Sequence, residues 1–500
     1  MISRKLQIFK DAGFYLTGSF AAQFLDMING VLMRRFLGPT QMGVWSFLQV
    51  ILSYAKHSTF GIGMATARDI PYFRAKGEHA KAEEIKNLVF SFTFLTSGLT
   101  AAGVAIFALC KHSSYSRPIF YGLIFTAALI IIQRIYNMFV VNIRANKEFG
   151  IASGLNVFSS LMSILFTVTL AWKWGLYGLF TGVLLNYLLS IAVILWKTRH
   201  RFKFQFSWKP LKPILGLGFA MLVYDACTTL FASADKVMIT KFLGFKELGY
   251  YSVALMANNY LCSIPNMLNI IFFPHFQEIF AKEDRREDLK SFLIKPTLSL
   301  SFVLPFAIAF VCFFSAWLVP LFLPKFTTGL SSLKYLALSA FFMGLTQHFN
   351  SFLITIKRQW LLIAVQAASA LSAFGITWIF IRAGGGITGV ACADIVIMAL
   401  NFAGMSWVSL KGMKSGRELF TYYFKVFFTF LYSAAAILLL DHWLIAWLKP
   451  GFLTACLQSL AFFMMMIPFL IAAEKESGFL STAWQTLQTL GKKKPAAAAL

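Results

Sequence analysis

The sequence predicts an all-α polytopic membrane protein of about fourteen transmembrane helices, in two six-helix lobes related by a pseudo-two-fold axis, with an extra helix pair after them. Three observations carry this. Hydrophobic residues make up 58% of the 500 and charged residues 13%, with a mean hydropathy of +0.70, where soluble domains are roughly half apolar and a quarter charged. Long apolar runs succeed one another with only short hydrophilic intervals. A segment also recurs: Arg35-Phe36-Leu37-Gly38, with Gly43 further on, returns as Lys241-Phe242-Leu243-Gly244 with Gly249, and one offset of 206 positions relates both glycine pairs. In a chain built of membrane spans, such a repeat points to two related bundles, an architecture of transporters.

A span requires roughly 20 mostly apolar residues. On that criterion spans cover 12–34, 42–66, 87–110, 117–141, 149–172, 174–196, 213–238, 247–272, 294–317, 329–354, 359–381, 386–409, 418–440 and 453–473. The first run contains Asp26 and Asn29 and continues into the repeat, so it reads as a resident span and not as a cleavable signal. An even number of spans puts both termini on one side.

The loops orient the bundle. One set carries Arg68, Arg74, Lys76, Lys81, Lys86, Arg144, Lys147, the run Lys197 to Lys212, Lys282 to Lys290, Lys357, Arg358 and Lys411 to Arg417; the opposite set is sparse in cations. This bias is about threefold and places the termini in the cytoplasm. The formal charge of +25 is therefore read as cationic loops facing an anionic leaflet, not as a nucleic-acid surface. The six cysteines lie in or beside apolar runs without CxxC spacing, so neither a disulfide framework nor a zinc site is implied. Loops 67–86 and 273–292 open on Pro and aromatics before becoming charged and are expected to be short interfacial helices; 478–490, with Trp484 on an apolar stripe before Lys492, is expected to lie on the inner leaflet.

Two further matches keep their order. Gln133-Arg134, followed by Arg144, pairs with Gln347-His348, followed by Arg358. Gly175-Leu176-Tyr177-Gly178 pairs with Gly386-Ile387-Thr388-Gly389. The anchors match spans 1–6 with spans 7–12. The expected organisation is an N-terminal lobe 1–196, a basic cytoplasmic linker 197–212, a C-terminal lobe 213–409, an extra transmembrane pair 410–473 and a cytoplasmic amphipathic tail 474–500. Because six is even, both lobes insert the same way up, around an axis along the membrane normal.

Two bundles that rock need a seam that is not wholly apolar, and polar groups at membrane depth must face it. The ionisable residues within spans are Asp26, Lys56, His57, Arg134, Asp225, Asp235, Lys236, Lys334, His348, Asp394 and Lys425. Each costs at least ~2.5–3.5 kcal/mol at a helix centre. Arg134, with Asn137 near it on the same face, and His348 in the matching span are candidates for cationic walls that bind an anionic head group, since the planar Arg fork suits phosphate. The alternative is an Arg satisfied within its own bundle. Lys56, with His57, interrupts span two and reads either as cavity-facing or as a structural polar contact. Arg34, Arg35 and Lys241 read as release-side phosphate contacts or as snorkelling cations. Asp26, Asp225 and Asp235 are candidate ion-coupling groups, with seam or end-of-helix roles as the alternatives. Gly38, Gly43, Gly244 and Gly249 read as turn and close-packing residues. GxxxxGK[ST] and HExxH are both missing, so the chain is not expected to be an enzyme, and no cofactor or metal is implied.

Arg35-Phe36-Leu37-Gly38-Pro39 with Met42-Gly43-Val44-Trp45, and Asp235-Lys236-Val237-Met238-Ile239 with Phe242-Leu243-Gly244 and Leu248-Gly249-Tyr250-Tyr251-Ser252, resemble the polysaccharide flippases of the Wzx type. These belong to the multidrug/oligosaccharidyl-lipid/polysaccharide (MOP) exporter superfamily. The resemblance covers most of spans 1–12 and implies a MATE- and MurJ-like fold working by alternating access. It implies a cargo of oligosaccharide on undecaprenyl diphosphate, moved across the bacterial plasma membrane for O-antigen, capsule or exopolysaccharide synthesis. Membrane lipids, a polysaccharide polymerase and a chain-length regulator would be its partners. Family cavity cations carry over to Arg134 and Lys56. Fourteen spans also resemble the lipid II flippase, but Asp26 and Asn29 stand where that relative has cations, which points away from a peptidoglycan precursor. The alternatives are a cation-coupled multidrug-type antiporter of the same superfamily and, in a different class, a membrane-embedded polysaccharide polymerase.

Overall fold

The computed structural model describes residues 2–146, 148–198, 201–282, 286–356, 358–411 and 416–477. Among them all regular structure is helical. The first two expected spans form α1 (Ile2–Ala55), broken at Gly38, where φ 74 and ψ 175 are backbone angles that only glycine enters readily. Pro39 follows and has no N–H to continue the ladder.

The second span departs from expectation. It ends at Ala55, and a 3-10 turn, Lys56–Thr59, leads through left-handed Phe60 and Gly61 to α2 (Gly63–Ala75). The break falls on the polar run Lys56-His57-Ser58-Thr59, where the Thr59 hydroxyl donates to the Lys56 carbonyl (3.2 Å) and so competes with the helix ladder.

Next come α3 (His79–Cys110), α4 (Arg117–Ala145) and α5 (Phe149–Ser163), which passes through a π-helical turn, Ile164–Val168, into α6 (Thr169–Lys197). The stretch Phe149–Lys197 is 49 residues long. At 1.5 Å per residue it spans about 73 Å, enough for two crossings of a ~30 Å core, with a non-helical break at Gly175. Then follow α7 (Trp208–Phe242), α8 (Phe245–Lys282), α9 (Arg286–Phe322), α10 (Leu330–Thr355), α11 (Gln359–Arg382), α12 (Gly386–Leu410), α13 (Gly416–Trp447) and α14 (Phe452–Ser477). By length and composition, 8 helical segments of the described residues could cross a membrane, or 9 if the arms of α7, bent by 53°, form one span. The protein is a multi-span membrane protein.

The expected interfacial helix at 67–86 is instead the end of α2 and the start of α3 around a turn at Gly77. The backbone of 273–282 continues α8. The tail 478–490 lies outside the described residues. The matched glycines share a backbone state: Gly38 and Gly244, and Gly175 and Gly386, all have positive φ.

Two compact units are present. The first contains the described residues up to Ser252, Phe322–Thr328 and Ala373–Ile381; the second contains the described residues of Val253–Leu321 and Gly329–Ser372 and those from Arg382 onward. In the first, the basic linker lies along α3. The N–H of Lys203 donates to Asn87 Oδ1 (3.0 Å), the N–H of Gln205 donates to Ser91 Oγ (2.8 Å), and Phe202 stacks on Phe90 at 4.5 Å. In the second, α10 packs closely on α12, Ser339 donates to the Asp394 carboxylate (2.8 Å), and a Lys334–Asp441 ion pair ties α10 to α13.

Candidate functional site

The two copies of the repeated segment touch each other within the first unit. A methyl group on Gly43 would stand 1.7 Å from the Phe245 carbonyl oxygen, and one on Gly249 would stand 1.8 Å from the Pro39 carbonyl oxygen. Each copy thus offers its second glycine to the backbone of the other, the reciprocal pattern of a two-fold contact. Beside it Arg34 is buried, donating through Nη1 to the Gly30 carbonyl (2.9 Å), through Nε to Ser252 Oγ (3.1 Å) and through Nη2 to the Ser252 carbonyl (2.9 Å). Arg34 is therefore a structural staple, whereas Arg35 is exposed. Arg34→Ala is expected to lower stability by about 1–3 kcal/mol through the acceptors it leaves unpaired, read as the thermal midpoint of the purified protein.

Further along α1 the contacts to α7 become polar. Tyr54 Oη lies 2.7 Å from Ser233 Oγ, and His57 Nε2 lies 2.9 Å from Thr229 Oγ1. The 3-10 turn holds His57 within electrostatic range of Lys56, Arg134 and Asp225, which brings together three sequence-predicted candidates from α4, α7 and the turn. Arg134 is partly buried, and its Nε is buried without a hydrogen-bond partner among the described residues. Asp225 is exposed. A guanidinium nitrogen left unpaired costs about 1–3 kcal/mol or more, so this arrangement suits a site that an anionic ligand completes.

One helical turn of chemistry links Arg134 to a cavity. The neighbouring Gln133 donates through Nε2 to Tyr187 Oη (3.1 Å), Tyr187 lies within electrostatic range of Arg134, and its ring meets Tyr136 edge-on at 5.3 Å. Both tyrosines line a cavity of about 480 Å³ bounded by α1, α4, α5, the π turn and α6. From α1 it receives Ser19, Gln23, Asp26 and Asn29, spaced so that all face one side. From α5 and the π turn it receives Asn156, Ser159, Ser160, Ser163 and Thr167, again one helical stripe. Asn29 clamps the π turn, donating through Nδ2 to Ser163 Oγ (2.9 Å) and accepting at Oδ1 from Thr167 Oγ1 (2.9 Å). Ser160 lies within hydrogen-bonding reach of the Asp26 carboxylate.

The remaining predicted residues belong to α7, α4 and α10. Asp235 sits on α7, where its carboxylate accepts from the Lys236 N–H (2.7 Å) and lies 3.7 Å from Lys236 Nζ. Asn137 is half-buried on α4. His348 has no exposed surface, deep in α10 of the second unit. The sequence reading missed the neutral lining: Asn156, Ser159, Ser160, Ser163, Thr167 and Asn186. A search for ionisable groups passes over them. For the first five the signal was a polar stripe at i, i+3, i+4, i+7 and i+11 through an otherwise apolar stretch; Asn186 lies outside that stripe, in α6.

Residues 32–326 match the family described as polysaccharide biosynthesis protein. The chain belongs to that family. The match includes Lys56, Arg134, Asn186 and Asp225. A curated relative, the succinoglycan biosynthesis transport protein ExoT of Rhizobium meliloti (strain 1021), is 20% identical over 280 residues, covering 54% of this chain and 53% of that protein. The alignment thus spans about half of the relative's length. Among solved structures, the lipid II flippase MurJ in an inward closed conformation superposes with a TM-score of 0.69 at 15% identity, covering 92% of this chain and 99% of that one. A multidrug resistance MATE family transporter of the MOP superfamily, in its inward-facing conformation, gives 0.66 at 14% identity, with 80% and 98% covered. The family member therefore shares the all-helical fold of these two structures, and the proteins it resembles are named as transporters and a flippase.

Proposed function

We propose that the protein is a flippase that moves an undecaprenyl-diphosphate-linked oligosaccharide from the cytoplasmic to the outer leaflet of a bacterial plasma membrane by alternating access. The product would serve the synthesis of O-antigen, capsule or exopolysaccharide, with a polymerase and a chain-length regulator acting after it. Both termini are cytoplasmic in this reading, as the loop cations require. The observation that carries it is the unpartnered, buried Nε of Arg134, within electrostatic range of His57, which in turn senses Lys56 and Asp225. Arg134 and Lys56 hold the diphosphate. Asp225 balances the cations when the site is empty and is the group whose charge couples occupancy to an ion.

Deletion of the gene in its host tests this. Expected are loss of surface polysaccharide and accumulation of a polyprenyl-diphosphate glycolipid that stays inaccessible from outside intact spheroplasts, both reversed by the wild-type gene. Unchanged polysaccharide in a strain without a redundant flippase would refute the reading. Proteoliposomes holding the purified chain are expected to move the same glycolipid between leaflets.

A further inference from the structure

The geometry points to the cavity beside Arg134 as a glycan subsite, which takes the first sugar of the lipid-linked cargo through its hydroxyl groups. This deepens the flippase reading and rests on it. The chemistry of the walls carries the inference. At about 480 Å³ the cavity has the size of a small-molecule site, yet its lining is mostly amide and hydroxyl. Among the described lining residues no side chain is cationic and Asp26 is the one carboxylate. A polyprenyl chain or a lipophilic drug needs apolar walls, and a diphosphate needs cations. Alternating donors and acceptors, with the faces of Trp45, Tyr136 and Tyr187 at hand, complement a polyhydroxylated ring, whose C–H faces pack on aromatic surfaces by dispersion.

Asn186 shows that the site is unfinished as it stands. It is buried, its Nδ2 donates to Ser159 Oγ (3.3 Å), and its Oδ1 has no hydrogen-bond partner among the described residues. A buried amide oxygen of this kind is costly unless a donor arrives, and a sugar hydroxyl is a donor of the right size. Covalent connectivity then fixes the neighbourhood. The first sugar of the cargo is bonded to the diphosphate, so its site must adjoin the phosphate site, and Tyr187 joins the two: it lines the cavity, accepts from Gln133 and lies in the field of Arg134.

Two probes separate the subsite from the flippase reading: the glycolipid purified from the deletion strain, and the same lipid stripped to undecaprenyl diphosphate. Binding to the purified full chain in detergent is measured for wild type, Asn186→Ala, Tyr187→Phe, Asp26→Asn and Arg134→Ala, with the thermal midpoint without ligand as a folding control. Wild type is expected to bind the glycolipid at least tenfold more tightly than the stripped lipid. Asn186→Ala and Tyr187→Phe are expected to remove most of that difference and leave the stripped lipid unchanged, whereas Arg134→Ala weakens both. Equal binding of the two probes by wild type, or equal weakening of both by Asn186→Ala, overturns the subsite while leaving the flippase intact. So does a sodium-dependent stabilisation abolished by Asp26→Asn with glycolipid binding unchanged, which assigns the cavity to a cation. Failure of wild type to bind either lipid overturns the flippase reading and the subsite with it.

Discussion

Gly249→Ala is expected to destabilise the protein by about 3 kcal/mol, the upper end of the overpacking range, because its new methyl group meets main chain and not a side chain that can turn away. The obstacle is the Pro39 carbonyl oxygen at 1.8 Å, and the reciprocal obstacle to Gly43→Ala is the Phe245 carbonyl oxygen at 1.7 Å. Either substitution forces the two repeated segments apart. Since each alone opens the same contact, the double variant is expected to be little worse than either single one, the non-additivity of residues that share an interaction. Gly38→Ala is a separate case: it strains the break in α1 at φ 74, at about 1–3 kcal/mol, and its effect should add more nearly in full. Thermal unfolding of the four purified variants decides this. An unshifted midpoint for Gly249→Ala would mean that the two copies do not pack as described.

Arg134→Ala is expected to behave in the opposite way, with function lost and stability kept. The guanidinium has a buried Nε with no hydrogen-bond partner among the described residues, so its removal takes away desolvation cost and orphans no described partner of that nitrogen. The thermal midpoint should hold or rise, as is common where a site is built for a ligand and not for the fold. A charged hydrogen bond to phosphate contributes about 1.5–3 kcal/mol, so surface polysaccharide supplied by the variant should fall by about ten- to a hundredfold. Arg134→Lys keeps the charge but loses the planar fork, and an intermediate yield is expected. The paired readouts are polysaccharide per cell in the complemented deletion strain and the melting of the same protein. Normal polysaccharide from Arg134→Ala would remove the cation from the mechanism.

Much of the fold was legible because membrane spans announce themselves one residue at a time. Each helix satisfies its own backbone in a solvent that offers no alternative, so the apolar runs expected at 117–141, 329–354 and 386–409 return as α4, α10 and α12 with ends shifted by a few residues. The repeat was legible for the same local reason. Gly38 and Gly244 must reach positive φ, and glycine does so without strain. The break of the second span at Lys56 was half visible: the polar run was plain, but the local hydroxyl–carbonyl contact that ends the helix there was not.

The candidate site was legible only in its charges. Arg134, Lys56, Asp26 and Asp225 could be named because an ionisable group within a span stands out against apolar neighbours. What determines their roles is a relation between helices. No pattern in α4 reveals that Gln133 reaches Tyr187 of α6, none in α1 reveals that Asn29 bonds Ser163, 134 residues away, and the polar stripe in span five does not say what it faces. A hydroxyl or amide is cheap enough at helix depth to be scattered anywhere, so its meaning arises only when several converge.

The sequence by itself therefore determined the class of fold, the order of most of its helices and the short list of charges that could meet a phosphate. These follow from the solvent each residue requires and from backbone states set within a few residues. The tertiary structure alone decided that the repeat glycines are contacts between the two copies, that Arg34 is a staple while Arg134 is unpaired, and that a polar cavity lies beside it. Those are matters of which surfaces face each other, and packing between distant helices is fixed by shape and polar pairing that no local run of residues encodes.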